Sequence, residues 1–462
     1  MERVDVAIVG GGPAGMAAAH AAAEGGADAL VLEKGVPRAD REQLGPDSTD
    51  AAGILDYWVE LMDIHPEEFA DDVLVQQLDR AEFIGPTESC TLTSTGIDSD
   101  YEHFGYTFNR ARFDDWLRER AETAGAEYRV GVRVRGVDAD SGTAGETPRH
   151  RITLAGDDNI GADFLVLADG PQRTVTNPVL DGYLPDGMNA SEQLAAPTAN
   201  HIAYQEYRRF PEEVFEELNT AIKFWWGHMP GHTAYPWVFP NDNRVCRVGL
   251  TMPIGLDLDA VENHEDYPLI HPADESVPNG ATYIRRLLEL VWGDEYDIET
   301  EFPLVEDRGK RDGTETYSIS STQPIDSPVE AGIAVAGGAM GTTSAFHEGG
   351  DHVAIRTGAI AGELAAEGDL TAYNDRWKAA VGDELLRNVT FADLCREYTP
   401  DDWDRAFATI RDMLTASGPT LFTPSALKSG FASAKAYYGY KKQKRRFTQN
   451  GYVQLTADEY VY

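Results

Sequence analysis

The sequence predicts an α/β chain: a Rossmann-type dinucleotide-binding domain, discontinuous along the chain, with an antiparallel β-sheet domain inserted into it and a helical C-terminal region. Three observations carry this. A strand, a glycine turn and a helix open the chain; aromatic segments alternate between residues 203 and 252; and a short apolar strand runs through a second glycine turn into an Ala/Gly-rich helix near residue 350.

The first unit reads DVAIVGGGPAGMAAAHAAAEGGADALVLEK over residues 5–34. The apolar run at residues 4–9 fits a buried parallel strand, and residues 14–24 form an Ala-rich helix. Gly10, Gly12 and Gly15 supply G-x-G-x-x-G between them. Gly10 allows the tight turn, Gly12 lets the backbone approach a pyrophosphate, and Gly15 lets the helix pack on the strand. Pro13 and Ala14 open the helix, whose N-terminus faces the phosphates. A second strand over residues 27–32 ends at Glu33, suited to the adenosine ribose hydroxyls, and Lys34 follows. This unit predicts a dinucleotide without saying which one.

The chain has 78 acids against 39 bases, a formal charge of -39, yet 42% of its residues are hydrophobic. The acidity therefore belongs to the surface of a folded protein, not to a disordered chain. Nine lysines stand against thirty arginines, a balance similar to that of proteins from salt-in halophilic archaea. The sign disfavours nucleic-acid binding. Cys90, Cys246 and Cys395 are far apart and show no C-x-x-C spacing, which argues against a disulfide framework, a zinc site or an Fe-S cluster held by this chain alone; no metal is expected. No apolar stretch reaches ~18 residues, and the N-terminus enters a strand at once, so the expected location is cytoplasmic, or peripheral on the inner face of a membrane.

Residues 35–54 are loop-rich, with Arg38 and Arg41 within reach of a phosphate or substrate. Residues 55–84 carry helical spacing and residues 88–106 alternate like hairpin strands. A helix around Phe113 and Leu117 stops at Gly125, and residues 128–137 alternate as one strand. Strands at 151–154 and 163–168 follow, the latter ending in Asp169 and Gly170. The opening glycine unit, the R-x-R-F-D helix beginning at Arg110 and this strand-terminal ADG together resemble the FAD-dependent oxidoreductases related to aromatic hydroxylases. The resemblance implies FAD as the dinucleotide, Arg110 near its ribityl chain, and the Asp169-Gly170 turn as a brace for the cofactor.

The segment AYPWVFPNDNRVCRVGL places Tyr235, Trp237 and Phe239 on one strand face and Val238 on the other, with Pro236 and Pro240 suiting an edge or bent strand. Three rings on one face suit the wall of a cavity for a long apolar ligand. YPWVFP followed by RVG resembles the Y-x-W-x-F-P…VG signature of the geranylgeranyl reductase family, flavoenzymes that saturate prenyl double bonds. That resemblance implies a substrate cavity lined by these rings at the flavin, and a prenyl-lipid substrate.

In the family a GD-A-A-G motif and a proline precede the second glycine turn. Gly337 and Gly341 match, and Glu348, Gly349 and Gly350 match the turn loosely. Gly338 replaces the aspartate that contacts the ribityl chain, and Ala345 or a neighbour replaces the proline. Losing that acid weakens FAD binding unless Asp351 or a backbone group compensates. The cysteine that several family members place near the flavin is also absent between Glu33 and Arg80.

The expected division is 1–84, 107–180 and 311–370 for three parts of the FAD-binding domain, 85–106 and 181–310 for the substrate domain, and 371–462 for the helical region. Residues 427–447 hold five of the nine lysines with Tyr437, Tyr438, Tyr440 and Phe447 interleaved, a composition suited to peripheral contact with anionic lipid. The expected reaction is FAD-dependent saturation of the isoprenoid chains of a prenyl lipid such as an archaeal ether-lipid precursor. Tyr235, His347 and Glu348 are the candidate proton donors, and the electron donor, whether NADPH, ferredoxin or another reduced carrier, is left open. Electron transfer towards quinone, flavin-dependent monooxygenation and non-catalytic prenyl-lipid binding are the alternatives.

Overall fold

The computed structural model describes residues 1–35, 52–98, 101–138, 148–184, 189–194, 201–320, 324–417 and 431–449. Arg38, Arg41 and residues 427–430 lie outside them. Among the described residues the strands form two seven-stranded sheets and one three-stranded sheet.

The first sheet is built outward from Glu2–Val9, whose Val6, Ala7 and Ile8 are fully buried. This strand pairs in parallel with Ala29–Glu33 on one side and Asn159–Leu167 on the other. Ile333–Val335 extends the parallel set beyond Asn159–Leu167. The first turn requires its glycines. Gly10 has φ of +107°, and a Cβ there would meet the Ala168 carbonyl oxygen at 2.2 Å; one on Gly15 would meet the Gly10 oxygen at 1.9 Å. The helix Pro13–Glu24 lies against the helix Asp351–Ala366 with backbones touching, since a Cβ on Gly358 or Gly362 would sit 2.1 Å from the Ala14 or Ala18 carbonyl oxygen. Small residues in both helices thus bring the two glycine turns, more than 300 residues apart in sequence, to one end of the sheet.

The second sheet runs Thr314–Ile319, His201–Arg209, Val245–Pro253, Tyr235–Pro240, Ala221–Trp225, Arg80–Ile84, Ser89–Leu92, antiparallel except where Arg80–Ile84 meets Ala221–Trp225. It therefore draws residues 80–84 and 314–319 from outside the expected 85–106 and 181–310 intervals. The helix expected over residues 55–84 is confined to Asp56–Met62, because Asp63 turns into the left-handed region at φ of 60° and Pro66 follows. Beyond it, Leu74–Leu78 joins the three-stranded sheet and Arg80–Ile84 crosses to the second one, where Phe83 stacks on Phe224 at 5.2 Å. Pairing across sheets overrides the local helical spacing.

Two other strand expectations change. The single strand at 128–137 is two, Glu127–Val130 and Val134–Asp138, on opposite edges of the first sheet. Tyr235–Pro240 is an interior strand, not an edge. Its pairing to Ala221–Trp225 uses only Trp237 and Val238, so both prolines fall outside that short ladder. On its far face Val238 joins a core with Val214, Val248 and Leu250.

The helix Tyr373–Leu394 packs beside Asp351–Ala366, and Phe431–Gln449 docks on it through Phe447, buried against Leu386 and Val389. No helix among the described residues is long and apolar enough to cross a membrane.

Candidate functional site

One cavity of about 830 Å³ runs from the first glycine turn to the inner face of the second sheet. That volume lies in the upper part of the roughly 300–1,000 Å³ range of small-molecule and cofactor sites. Gly10, Gly12, Pro13 and Ala14 form its first end with Glu33 and Lys34. A Cβ on Gly12 would meet no protein atom within 4 Å, so this backbone is bare towards the space a ligand fills. The Glu33 carboxylate accepts from the backbone N–H groups of Gly11 and Gly35 at 2.7 and 2.6 Å, which orients it at the turn. Gly15 and Gly337 stand behind the wall, where they permit helix packing.

The middle of the cavity is bordered by Arg110, Asp169, Gly170, Gly338, Gly350 and Asp351. Arg110 is buried at the start of the helix Arg110–Ala124 and pairs with Asp114 at 3.0 Å and Asp351 at 3.2 Å. Asp351 thus brings a carboxylate to the cavity, although Gly338 supplies none. Space explains the glycine: a Cβ at 338 would press on Pro171 at 3.2 Å. Asp169 points back into the protein, accepting from the Val175 N–H at 2.7 Å and the Thr176 hydroxyl, so it braces the turn.

Sequence reasoning missed Arg173. Its buried guanidinium donates to the carbonyls of Gly338 at 3.0 Å and Ala339 at 3.1 Å, joining the Asp169-Gly170 turn to the second glycine turn. Burial lowers its pKa to about 10. Nothing local in PQRT marks this arginine, because the two acceptors that join the turns lie some 165 residues away.

The far end is aromatic. Tyr235, Trp237 and Phe239 all line the cavity, as their shared strand face predicts, with Phe224, Trp226 and Phe346. Trp226 stacks on Tyr235 at 4.2 Å and on Phe346 at 5.1 Å. Gly249 lies directly opposite Trp237 in the ladder, and a Cβ on it would meet the indole Cε2 and Cζ2 at 2.4 Å. The glycine of the VG pair is therefore the seat of the tryptophan ring.

The three proton-donor candidates meet here in unequal states. The Tyr235 hydroxyl donates to the His347 carbonyl at 2.8 Å, and burial, with Glu348 nearby, pushes its pKa well above 10. His347 accepts the Gly349 N–H on Nδ1 at 3.2 Å, and its Nε2 lies 3.5 Å from Glu384 Oε1 and 3.4 Å from Asn388 Nδ2. His347, His352 and Glu384 bring possible ligand atoms within 4.8 Å of one another. The Nδ1 hydrogen bond opposes metal ligation by His347 Nε2, and Glu384 is already bonded to Arg387 and Asn388. Although burial raises its pKa, Arg387 holds Glu384 well below the usual carboxylate range. Glu348 lies on the cavity wall with Thr251, and its carboxyl meets the Thr251 hydroxyl, Thr233 at 3.5 Å and His201 Nδ1 at 3.3 Å. Burial raises its pKa to about 8.

A glycine-lined cavity that ends in an aromatic slot fits a dinucleotide cofactor beside an apolar substrate chamber. Residues 3–180 match the family model for an FAD binding domain. The chain is 25% identical to digeranylgeranylglycerophospholipid reductase 1 of Methanococcoides burtonii, over 89% of this chain and 88% of that one. It is 26% identical to digeranylgeranylglycerophospholipid reductase 2 of Methanopyrus kandleri, over 82% and 83%. A geranylgeranyl bacteriochlorophyll reductase-like protein from Thermoplasma acidophilum has the same fold, with a TM-score of 0.66, 20% identity and coverage of 97% and 99%. The protein is an FAD-dependent oxidoreductase. Within that class, the chain is similar over most of its length to digeranylgeranylglycerophospholipid reductases.

Proposed function

We propose that this chain saturates the isolated double bonds of geranylgeranyl-type chains on a polar lipid such as an archaeal ether-lipid precursor. The observation that carries the reading is the continuity of the cavity from the Gly10–Gly15 turn to Tyr235, Trp237 and Phe239. FAD, when bound and reduced, would supply the hydride chemistry for one alkene carbon.

The chain's own residues do the rest. Gly10, Gly12 and the helix N-terminus at Pro13 and Ala14 receive the pyrophosphate, and Glu33 takes the ribose hydroxyls. Arg110, Asp351 and the backbone at Gly338 would hold the ribityl chain, and Gly349 and Gly350 would border the ring. The aromatic walls hold a prenyl segment and keep water from the reacting centre. Relatives named for digeranylgeranylglycerophospholipid reduction support a substrate carrying such chains.

On Phe431–Gln449, Tyr438, Lys441, Lys442, Arg445 and Arg446 are exposed at helical spacing, a basic stripe on an acidic protein that suits peripheral contact with anionic lipid. The test of the reaction is direct. Protein reconstituted with FAD and reduced by dithionite is given a digeranylgeranylglycerol phospholipid, and mass spectrometry follows the gain of two hydrogens per double bond. A lipid recovered with every double bond intact defeats the proposal.

A further inference from the structure

We propose that Glu348 is the acid that completes alkene reduction, held protonated by its burial and by His201 on the cavity wall, and delivering its proton to the carbon that does not receive hydride. The inference rests on the prenyl-reduction reading above and adds a catalytic role to it. With hydride on one carbon and the Glu348 proton on the other, two C–H bonds replace the π bond. The cofactor is left oxidised by two electrons and Glu348 is left as a carboxylate, which takes a proton from water before the next turnover.

Hydrogen-bond geometry indicates the protonated state. His201 Nε2 lies 2.7 Å from the His232 carbonyl and donates to it, which leaves Nδ1 as an acceptor 3.3 Å from Glu348 Oε1. A carboxylate there would set lone pair against lone pair, whereas a carboxylic acid donates. An imidazolium–carboxylate pair is disfavoured because both side chains are almost wholly buried, at 2% and 3% exposure. Burial acts on both partners in the same sense, lowering the His201 pKa to about 3 and raising that of Glu348 to about 8.

The Tyr235 hydroxyl is committed to a carbonyl, and His347 Nε2 faces Glu384 and Asn388. Of the three, Glu348 is the one whose acidity burial brings nearest to neutral pH while it lines the cavity. The backbone marks the position as well. Glu348 has φ of +61°, a left-handed conformation that costs a side chain strain, in a stretch where glycine would adopt it freely. The strain turns the carboxyl towards Thr233, Thr251 and His201.

Glu348→Gln keeps the shape and removes the transferable proton. With FAD retained by its absorption spectrum, flavin reoxidation by a digeranylgeranylglycerol phospholipid in a single turnover is expected to slow at least ~100-fold, in the range of a lost general acid, with little change in half-saturating lipid. In the wild type the rate falls as pH rises through about 8, and this limb is absent in the variant. Independently of activity, infrared spectroscopy should show a protonated carboxyl band at pH 7 that Glu348→Gln removes. Thr251→Val is the second variant: it withdraws a hydroxyl that stabilises the carboxylate, so the alkaline limb should move to higher pH. Wild-type turnover with an equally fast Glu348→Gln, or no protonated carboxyl band at pH 7, overturns the assignment of Glu348 alone. A wild type inert towards prenyl lipids while the band is present overturns the prenyl reading, and the donor role falls with it.

Discussion

Gly249→Ala tests how the substrate chamber is built. The added methyl carbon would lie 2.4 Å from Cε2 and Cζ2 of Trp237 and 2.7 Å from its Nε1. Ordinary carbon contacts begin near 3.5 Å, so the indole has to move by about 1 Å. A ring moves as a unit, and the strand lies behind it, so displacement towards the cavity is the available direction. Overpacking of this kind costs about 1–3 kcal/mol. The melting temperature should fall by several degrees, and a prenyl chain sharing the slot should bind roughly 10-fold more weakly for each 1.4 kcal/mol the displaced ring withdraws. FAD affinity should stay close to wild type, because Gly249 is absent from the cavity lining and lies on the second sheet. Calorimetry, flavin fluorescence and lipid titration read the three quantities separately. Trp237→Phe in the same chain shortens the ring and should recover part of the loss, giving a coupling energy in a double-mutant cycle. Unchanged melting and unchanged lipid affinity in Gly249→Ala would show that Trp237 does not rest on this glycine.

Two further outcomes follow from glycines at the other end of the cavity. Gly12→Ala adds a methyl that meets no protein atom within 4 Å, so the ligand-free protein should melt within about 0.5 kcal/mol of wild type while its FAD dissociation constant rises at least ~10-fold, read by fluorescence titration. Gly358→Val places a side chain 2.1 Å from the Ala14 carbonyl oxygen at the crossing of two buried helices; loss of more than about 3 kcal/mol in denaturant unfolding is expected, and a mild effect would contradict the close backbone approach.

The dinucleotide turn was legible because its meaning is local: Gly10, Gly15 and Glu33 are read from the strand and helix that flank them within thirty residues. The face shared by Tyr235, Trp237 and Phe239 was legible for the same reason, since alternation along a strand is a property of the backbone. Residues 74–84 read as helix and are strands, because their partners are supplied by residues 105–108 and 221–225. The loss of an acid at Gly338 was visible, but the crowding by Pro171 that accompanies it was not.

The sequence alone determined the cofactor fold, the aromatic strand and the identity of the ionisable groups near the second glycine turn. Only the tertiary structure decided the surroundings on which the protonation of those groups depends. Ionisation depends on burial and on partners distant in sequence: His201 reaches Glu348 across 147 positions, Glu384 engages His347 from another helix, and a backbone carbonyl occupies the Tyr235 hydroxyl. Residue type names a group that can titrate, and the desolvation and hydrogen bonding that set its state exist only once the chain has closed around it.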